Sequence, residues 1–271
     1  MLRLLSIKIC ISRTILDIGS CLNGNSPSAR KHRPGRKIFP RRFIIWQPIL
    51  TDSQGSIILN SLSISAAISS IYTIARRSPQ LPNSKLNQII EADTSKWPEK
   101  VAAITPTPTL FISALGTSKA QAGSIENQRK IDFDLNLAVA KAAKAAGIKV
   151  YVLISAAGIS TTSHFAYPKM KAELEEAIKE VGFEKTVFIK PGMIVGTREN
   201  AKPLDGIVRG AAWFSGVISG GHLKDIWAQD AEYIGRAAIV AGLEAVAGDG
   251  PALRNVGHED IVKLGKHEVS G

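Results

Sequence analysis

The sequence predicts an α/β fold built on a doubly wound parallel sheet, and three observations carry the prediction. From about residue 57 onward, short apolar runs alternate with segments of helical periodicity. The apolar runs lack the polar alternation of half-exposed strands, as strands covered on both faces do. Two of the helical segments stop at a glycine, the residue that most readily adopts the left-handed conformation closing a helix.

Taken in order, residues 55–66 read as a helix, and SSIYTIA is a β-branched apolar run closed by Arg76, Arg77, Ser78 and Pro79. NQIIEAD gives a second strand and TLFISALG a third, bounded by a Pro-rich loop before it and Gly116 after it. In NQRKIDFDLNLAVAKAAKAAG the apolar residues Ile131, Leu135, Ala138, Val139 and Ala142 fall at helical spacing, and the helix stops at Gly147. KVYVLIS follows as another apolar strand. YPKMKAELEEAIKEVG is a helix ended by Gly182, and TVFIKPGMIVG a strand that breaks at Pro191 and Gly192. Right-handed crossovers then place helices on both faces, a Rossmann-type arrangement. Such a fold also needs a first strand and a glycine-rich turn, because glycine lets the backbone approach a pyrophosphate at a helix N-terminus. Before the helix at 55–66 the chain reads FIIWQPILTDSQGS, and only Gly55 is present. Phe43 to Trp46 have strand character, but Pro48, Ile49 and Leu50 stand where small residues are required. The N-terminal strand and Gly-rich turn are therefore expected to be replaced.

The formal charge of +11 over 271 residues suggests a nucleic-acid binder until it is divided along the chain. Residues 1–50 hold ten Lys/Arg and one acid, Asp17, leaving 24 basic against 22 acidic residues beyond. A nearly neutral globular part lacks the clustered basic surface that phosphate backbones need, so no nucleic-acid partner is expected. Residues 1–47 read as a basic extension, with the composition either of a mitochondrial targeting segment or of a disordered or misassigned N-terminus. Residues 48–271 read as one NAD(P)-binding domain. Both cysteines, Cys10 and Cys21, lie in the extension at a spacing that suits neither a zinc pair nor a disulfide framework. The histidines are scattered without ligand spacing, so no metal is expected. The uncharged stretch SIILNSLSISAAISSIYTIA carries eight Ser, Thr or Asn side chains and reads as helix then strand, not as a membrane span.

Ligands of open parallel sheets bind outside the carboxyl ends of the strands. The residues there are Arg76 and Arg77, Asp93, Ala114, Leu115 and Gly116, Ser155, and Pro191 with Gly192. Tyr167 and Lys171 are four apart and share one face of a helix that follows the strand ending at Ile154. A nearby lysine cation favours the phenolate and lowers the phenol pKa toward a useful range, which makes a proton donor for a carbonyl. Ser155 at the strand end is placed to hydrogen-bond that carbonyl. The other reading of the Tyr/Lys pair is a solvated helix face. An arginine after the second strand of a dinucleotide unit meets a 2′-phosphate where an acid would meet a hydroxyl, so Arg76 and Arg77 point to NADP; a solvated arginine pair is the alternative. Asp93 either accepts from an adenine amino group or caps the segment after it. Ala114, Leu115 and Gly116 form a small-residue strand end open to a cofactor, or a tight turn.

The stretch from about Gly55 to Lys266 resembles the fungal found-in-mitochondrial-proteome family, atypical short-chain dehydrogenase/reductase-like proteins related to the animal HIV Tat-interacting oxidoreductase. The resemblance rests on ARRSP, IEADTSKW, FISALGTSKAQAGSIENQRKIDFDLN, YVLISAAG, YPKMKAELEEAIKEVGF and KPGMIVGTRE. It implies an NADP-binding fold at the mitochondrion, peripheral on the outer membrane. By the same resemblance Tyr167 and Lys171 match the catalytic-type pair, Ser155 the first serine of the strand end, and Arg76 with Arg77 the 2′-phosphate clamp. The second serine is Ala156 here, and of the family's Gly-x-x-Gly-x-x-Gly turn only the last glycine remains, as Gly55. Residues 1–54 are accordingly expected to derive from an alternative or misassigned first exon. The function expected is oxidation or reduction of a small carbonyl or alcohol substrate with NADP(H). The alternative is a non-catalytic NADP-binding or interaction protein peripheral to the outer membrane.

Overall fold

A computed structural model describes residues 41–46, 58–60, 62, 68–78, 83–195 and 228–266. The chain divides into two compact units, Met1–Lys37 and Ile38–Gly271, and the described residues all belong to the second.

Among the described residues nine strands follow in chain order: β1 (Arg41–Trp46), β2 (Ile68–Ala75), β3 (Leu86–Ile90), β4 (Leu110–Ser113), β5 (Val150–Ile154), β6 (Lys185–Ile189), β7 (Met193–Val195), β8 (Ala228–Asp230) and β9 (Leu253–Val256). Seven of them form one parallel sheet in the order β3-β2-β1-β4-β5-β6-β9, and β7 pairs with β8 in a separate parallel ribbon. The order reverses direction between β1 and β4, and there the crevice of a doubly wound sheet opens at the carboxyl ends. The helices are α1 (Trp97–Ala102), α2 (Lys119–Ala122), α3 (Ile125–Arg129), α4 (Asn136–Ala145), α5 (Ala166–Val181), α6 (Ala231–Ala247) and α7 (His258–Gly265). A π-helical turn, Lys130–Leu135, joins α3 to α4, and residues 58–60 and 62 are also helical.

Two expectations change. Arg41–Trp46 were assigned to the basic extension, yet they form the central strand, paired with β2 on one side and β4 on the other. Ladder pairing is made by backbone groups and is indifferent to the charge of Arg41 and Arg42, so the domain begins near Ile38, ahead of residue 48. The expected replacement of the first strand thus supplies a strand; the turn that follows, with Gly55, lies outside the described residues. The second change concerns the helix through 131–142. Of its expected apolar stripe only Val139 is buried, while Ile131, Leu135, Ala138 and Ala142 are half-buried. The π turn inserts a wider winding that rotates the face presented to the sheet, and Gln128, Asp132 and Asn136 turn inward instead.

Side chains of β4, β5 and β6 alternate between two cores. Leu110, Ile112, Val150, Val152, Ile154, Val187 and Ile189 pack with Ile58, Leu59, Leu62, α6 and α7. Phe111, Tyr151, Leu153 and Phe188 pack on the other face with α1, α4 and α5. Each such residue contributes about 1.5–3 kcal/mol by leaving water. The first face is close-packed through small residues: a Cβ at Gly242 of α6 would lie 2.8 Å from Leu110 Cδ2 and 3.2 Å from Val152 Cγ2. The second uses bulk, with a Phe111–Tyr151–Phe183 stack at centroid spacings of 5.3 and 4.8 Å. Gly147 and Gly182 close α4 and α5 at φ +92° and +72°, as the sequence predicts.

Candidate functional site

The carboxyl edge of the sheet collects the residues singled out from sequence, in two groups. At the end of β5, Ser155 continues the ladder by donating its N–H to Ile189 O at 2.8 Å, and Ala157 N donates to Pro191 O at 2.8 Å. These two bonds stitch the exit of β5 to the exit of β6 and bring Ser155 beside Pro191. Ser155 is 5% exposed, and its hydroxyl is buried without a hydrogen-bond partner among the described residues. An unmet buried hydroxyl costs about 1–3 kcal/mol, a cost that a ligand acceptor removes.

The chain then turns through Gly158, at φ +68°, and enters α5. Phe165 is the extended N-cap residue, without a side-chain cap, and Pro168 falls in the first turn, where a missing N–H loses no helical bond. Tyr167 in that turn is 40% exposed, and Lys171 one turn on is 3% exposed. The helix face carrying both therefore runs from solvent into the interior. One turn further, Glu175 is buried and pairs with Lys190 at 2.8 Å, tying α5 to the residue before Pro191. Among the described residues Lys171 has no carboxylate partner within 4 Å.

The second group lies at the exits of β2, β3 and β4. Arg76 and Arg77 follow Ala75, the last residue of β2, and both are exposed. Asp93 caps the turn Thr94–Lys96, its Oδ1 accepting from Ser95 N at 3.0 Å and from Ser95 Oγ at 2.6 Å. Those two hydrogen bonds hold its carboxyl below the usual range. The capping role is thus present, and it leaves Oδ2 facing solvent with Lys96 at 4.0 Å. The buried Trp97 fixes this turn by donating Nε1–H to Glu91 O at 2.9 Å. After β4, Leu115 is buried while Ala114 and Gly116 are half-buried.

Sequence reasoning missed the residues that hold the β4 exit. Gln128, Asp132 and Asn136 are 3%, 1% and 0% exposed, polar side chains spaced four apart along one helical segment. Among the described residues, no group of three or more His, Cys, Asp or Glu comes together as a metal site, and no helix is long and apolar enough to cross a membrane.

Comparison with known proteins agrees with this geometry. Residues 79–209 match the HIM1 family. The chain is 50% identical over 208 residues to "Protein fmp52, mitochondrial" of Emericella nidulans, covering 74% of this chain and 88% of the relative. The chain belongs to the Fmp52 family. A second Fmp52 relative, "Protein fmp52-1, mitochondrial" of Aspergillus oryzae, is 47% identical over 222 residues, 79% of this chain and 94% of its own. Both relatives are named as mitochondrial proteins. Among solved structures, this Fmp52-family fold is similar to MoeE5 in complex with UDP-glucose and NAD, at TM-score 0.57 and 9% identity over 85% of this chain and 84% of that one. It is also similar to the Bordetella bronchiseptica enzyme WbmH in complex with NAD+, at TM-score 0.56 and 15% identity over 80% and 75%. A short chain dehydrogenase family protein of Francisella tularensis matches at TM-score 0.54 and 9% identity over 82% and 99%. At these identities the likeness is one of fold: a Rossmann-like α/β domain shared with dinucleotide-binding enzymes.

Proposed function

We propose that this Fmp52-family chain is an NADP(H)-dependent oxidoreductase of the short-chain dehydrogenase type, acting on a small carbonyl or alcohol. The reading is carried by the buried Ser155 hydroxyl at the exit of β5, without a partner among the described residues and next in the chain to a helix that opens with exposed Tyr167 and buries Lys171 one turn on.

The residues present fit a dinucleotide. Arg76 and Arg77 supply cations at the exit of β2 for a 2′-phosphate, and Asp93 keeps one carboxylate oxygen for an adenine amino group. Ala114, Leu115, Gly116 and Pro191 would flank the nicotinamide half, while Gly55, assigned to the phosphate turn from the sequence, lies outside the described residues. When bound, the cofactor supplies or accepts the hydride. Tyr167 donates a proton to the carbonyl oxygen in reduction and accepts it in oxidation. Lys171, one turn on from Tyr167, would donate to the nicotinamide ribose. Ser155 Oγ–H donates to the same carbonyl oxygen and orients it, and a donor so placed strengthens as negative charge develops there.

The test is a fluorescence titration of the full chain with NADPH and with NADH, followed by turnover of a panel of aldehydes and ketones. NADPH binding tighter than NADH, with reduction of at least one carbonyl, is expected. No NADPH binding below millimolar concentration overturns the proposal. Ala156, where a second serine is usual, favours a second reading, cofactor binding without turnover, and intact binding with a silent panel would select it.

The proposed location is the mitochondrion, at the periphery of the outer membrane. It is supported by the mitochondrial names of the relatives and by the ten basic residues against one acid in residues 1–50. Carbonate extraction of purified mitochondria should release the protein, and a protease added outside should digest it. Protection from that protease would place it inside.

A further inference from the structure

The loop leaving β4 has no ladder or helix to satisfy its backbone. Leu115 and Thr117 carry polar groups that must find partners elsewhere, since buried backbone groups are rarely left unpaired. Three side chains from one helical segment meet them. Asn136 Nδ2 donates to Leu115 O at 3.2 Å, Thr117 N donates to Asp132 Oδ1 at 2.6 Å, and Gln128 Nε2 donates to Thr117 O at 2.9 Å. A fourth bond extends the set into the strand, with Ser113 Oγ donating to Asn136 Oδ1 at 2.7 Å.

The π turn makes this alignment possible. In an α-helix, residues four apart overshoot one turn, so a row at i, i+4 and i+8 spirals off the face. Over Lys130–Leu135 the winding is wider, four residues undershoot a turn, and the two drifts offset each other. The cost is a broken ladder: Asn136 N–H bonds Phe133 O instead of Asp132 O. Asn136 repairs it with its own side chain, whose Nδ2 also donates to Asp132 O at 3.3 Å. The same asparagine therefore sustains the irregular turn and grips the loop. Apolar side chains would pack this helix at lower desolvation cost. Polar ones add direction, since each hydrogen bond fixes where a particular backbone atom sits.

We infer that Gln128, Asp132 and Asn136 are positioning residues: a clamp that holds backbone 113–117 at the spacing the dinucleotide requires, with Asp132 on Thr117 N as its central bond. The inference rests on the dinucleotide reading above. It assigns these three residues no contact with substrate or cofactor; they act through Ala114, Leu115 and Gly116. Gly116 bears the relation directly, since a Cβ there would lie 3.7 Å from Asp132 Oδ2, so the loop passes against the carboxylate in ordinary contact.

The experiment compares Asp132→Ala, which removes the acceptor, with Asp132→Asn, which keeps an oxygen for Thr117 N. NADPH affinity and the exchange of backbone amides over 114–118 are measured for each. Asp132→Ala should weaken NADPH at least tenfold and speed exchange at Thr117. Asp132→Asn should stay within threefold of the unaltered chain on both readouts. Equal affinity in a folded Asp132→Ala, or an equal loss in both variants, overturns the clamp. If Asp132→Ala does not fold, Gln128→Met decides, since it removes one neutral bond at similar volume. A threefold or larger loss of affinity supports the clamp, and no change overturns it. If the unaltered chain binds neither dinucleotide, the proposed function fails by itself. The clamp is then judged by exchange alone, and unchanged exchange at Thr117 in Asp132→Ala or Gln128→Met overturns it.

Discussion

The two halves of the sheet's carboxyl edge are built on opposite principles. At the exits of β4, β5 and β6 the working groups other than the exposed Tyr167 are buried: Ser113, Ser155, Lys171, Asp132 and Asn136 are each no more than 5% exposed. At the exits of β2 and β3 they are exposed charges, Arg76, Arg77 and Asp93, held by little beyond a capping turn. The difference matches the tasks proposed for them. The groups that orient a reacting carbonyl and its cofactor must be held to within a fraction of an ångström, and burial provides that. Recognition of a phosphate tolerates movement, because charge acts over distance and the guanidinium offers several donors. A buried site is sensitive to shape, whereas an exposed one is sensitive to salt.

That contrast can be broken from either side. The largest effect is expected at Tyr167. Tyr167→Phe should lower turnover by about 10²–10⁴-fold, the range for losing one proton-transfer group, and leave NADPH affinity within twofold; retained turnover would remove Tyr167 from the chemistry. Next come Arg76→Ala and Arg77→Ala together. Hydrogen bonds to charged groups contribute about 1.5–3 kcal/mol each, so NADPH should weaken at least tenfold while NADH changes little. The NADPH preference of the unaltered chain should also shrink as salt rises, and equal losses for the two dinucleotides would show that no 2′-phosphate is read.

Two smaller effects concern stability alone. A Cβ at Gly265 would lie 2.7 Å from Tyr233 Cα and 2.8 Å from Tyr233 O, where α7 closes on the first turn of α6. Because backbone atoms cannot step aside as side-chain ends do, Gly265→Ala should cost about 1–3 kcal/mol, seen as a lower midpoint of denaturation with turnover per folded molecule unchanged. The smallest effect is at Tyr151, whose fully buried phenol is pushed well above its ordinary pKa by desolvation. Below pH 10 both folded and unfolded phenols are protonated and the group gives no pH dependence. Above about pH 10 the unfolded phenol ionises while the folded one keeps its proton, so stability falls with rising pH, by at most about 1.4 kcal/mol per unit. Tyr151→Phe should flatten that alkaline slope in denaturation curves taken from pH 9 to 11, and an unchanged slope would assign it to other groups.

Much of this arrangement was legible in the sequence. The strands from β2 to β6 announced themselves as apolar runs, because a strand covered on both faces has no polar side to confuse the pattern. Tyr167, Lys171 and Ser155 stood out in the sequence as candidates because the exits of such strands are the places to look. The pairing of β7 with β8 was not, since a three-residue ribbon joining residues more than thirty positions apart leaves no periodic trace. Nor was the inward row of Gln128, Asp132 and Asn136. Polar residues at helical spacing read as a solvated face, and only the π turn, which depends on tertiary contacts, reverses that reading. Arg41–Trp46 were weighed down by their charged neighbours, although Phe43, Ile44, Ile45 and Trp46 have the composition of a strand.

That central strand bears on how the fold tolerates change at its N-terminal end. β1 is joined to β2 and β4 by backbone bonds, so any short apolar segment able to extend can occupy the slot whatever its origin. An empty slot, in contrast, would leave two unsatisfied edges facing each other inside the sheet. A chain started at residue 48 would expose the sides of β2 and β4 as templates for foreign strands. It should be recovered as aggregate, and a synthetic peptide spanning residues 38–48 supplied during refolding should return part of it to solution.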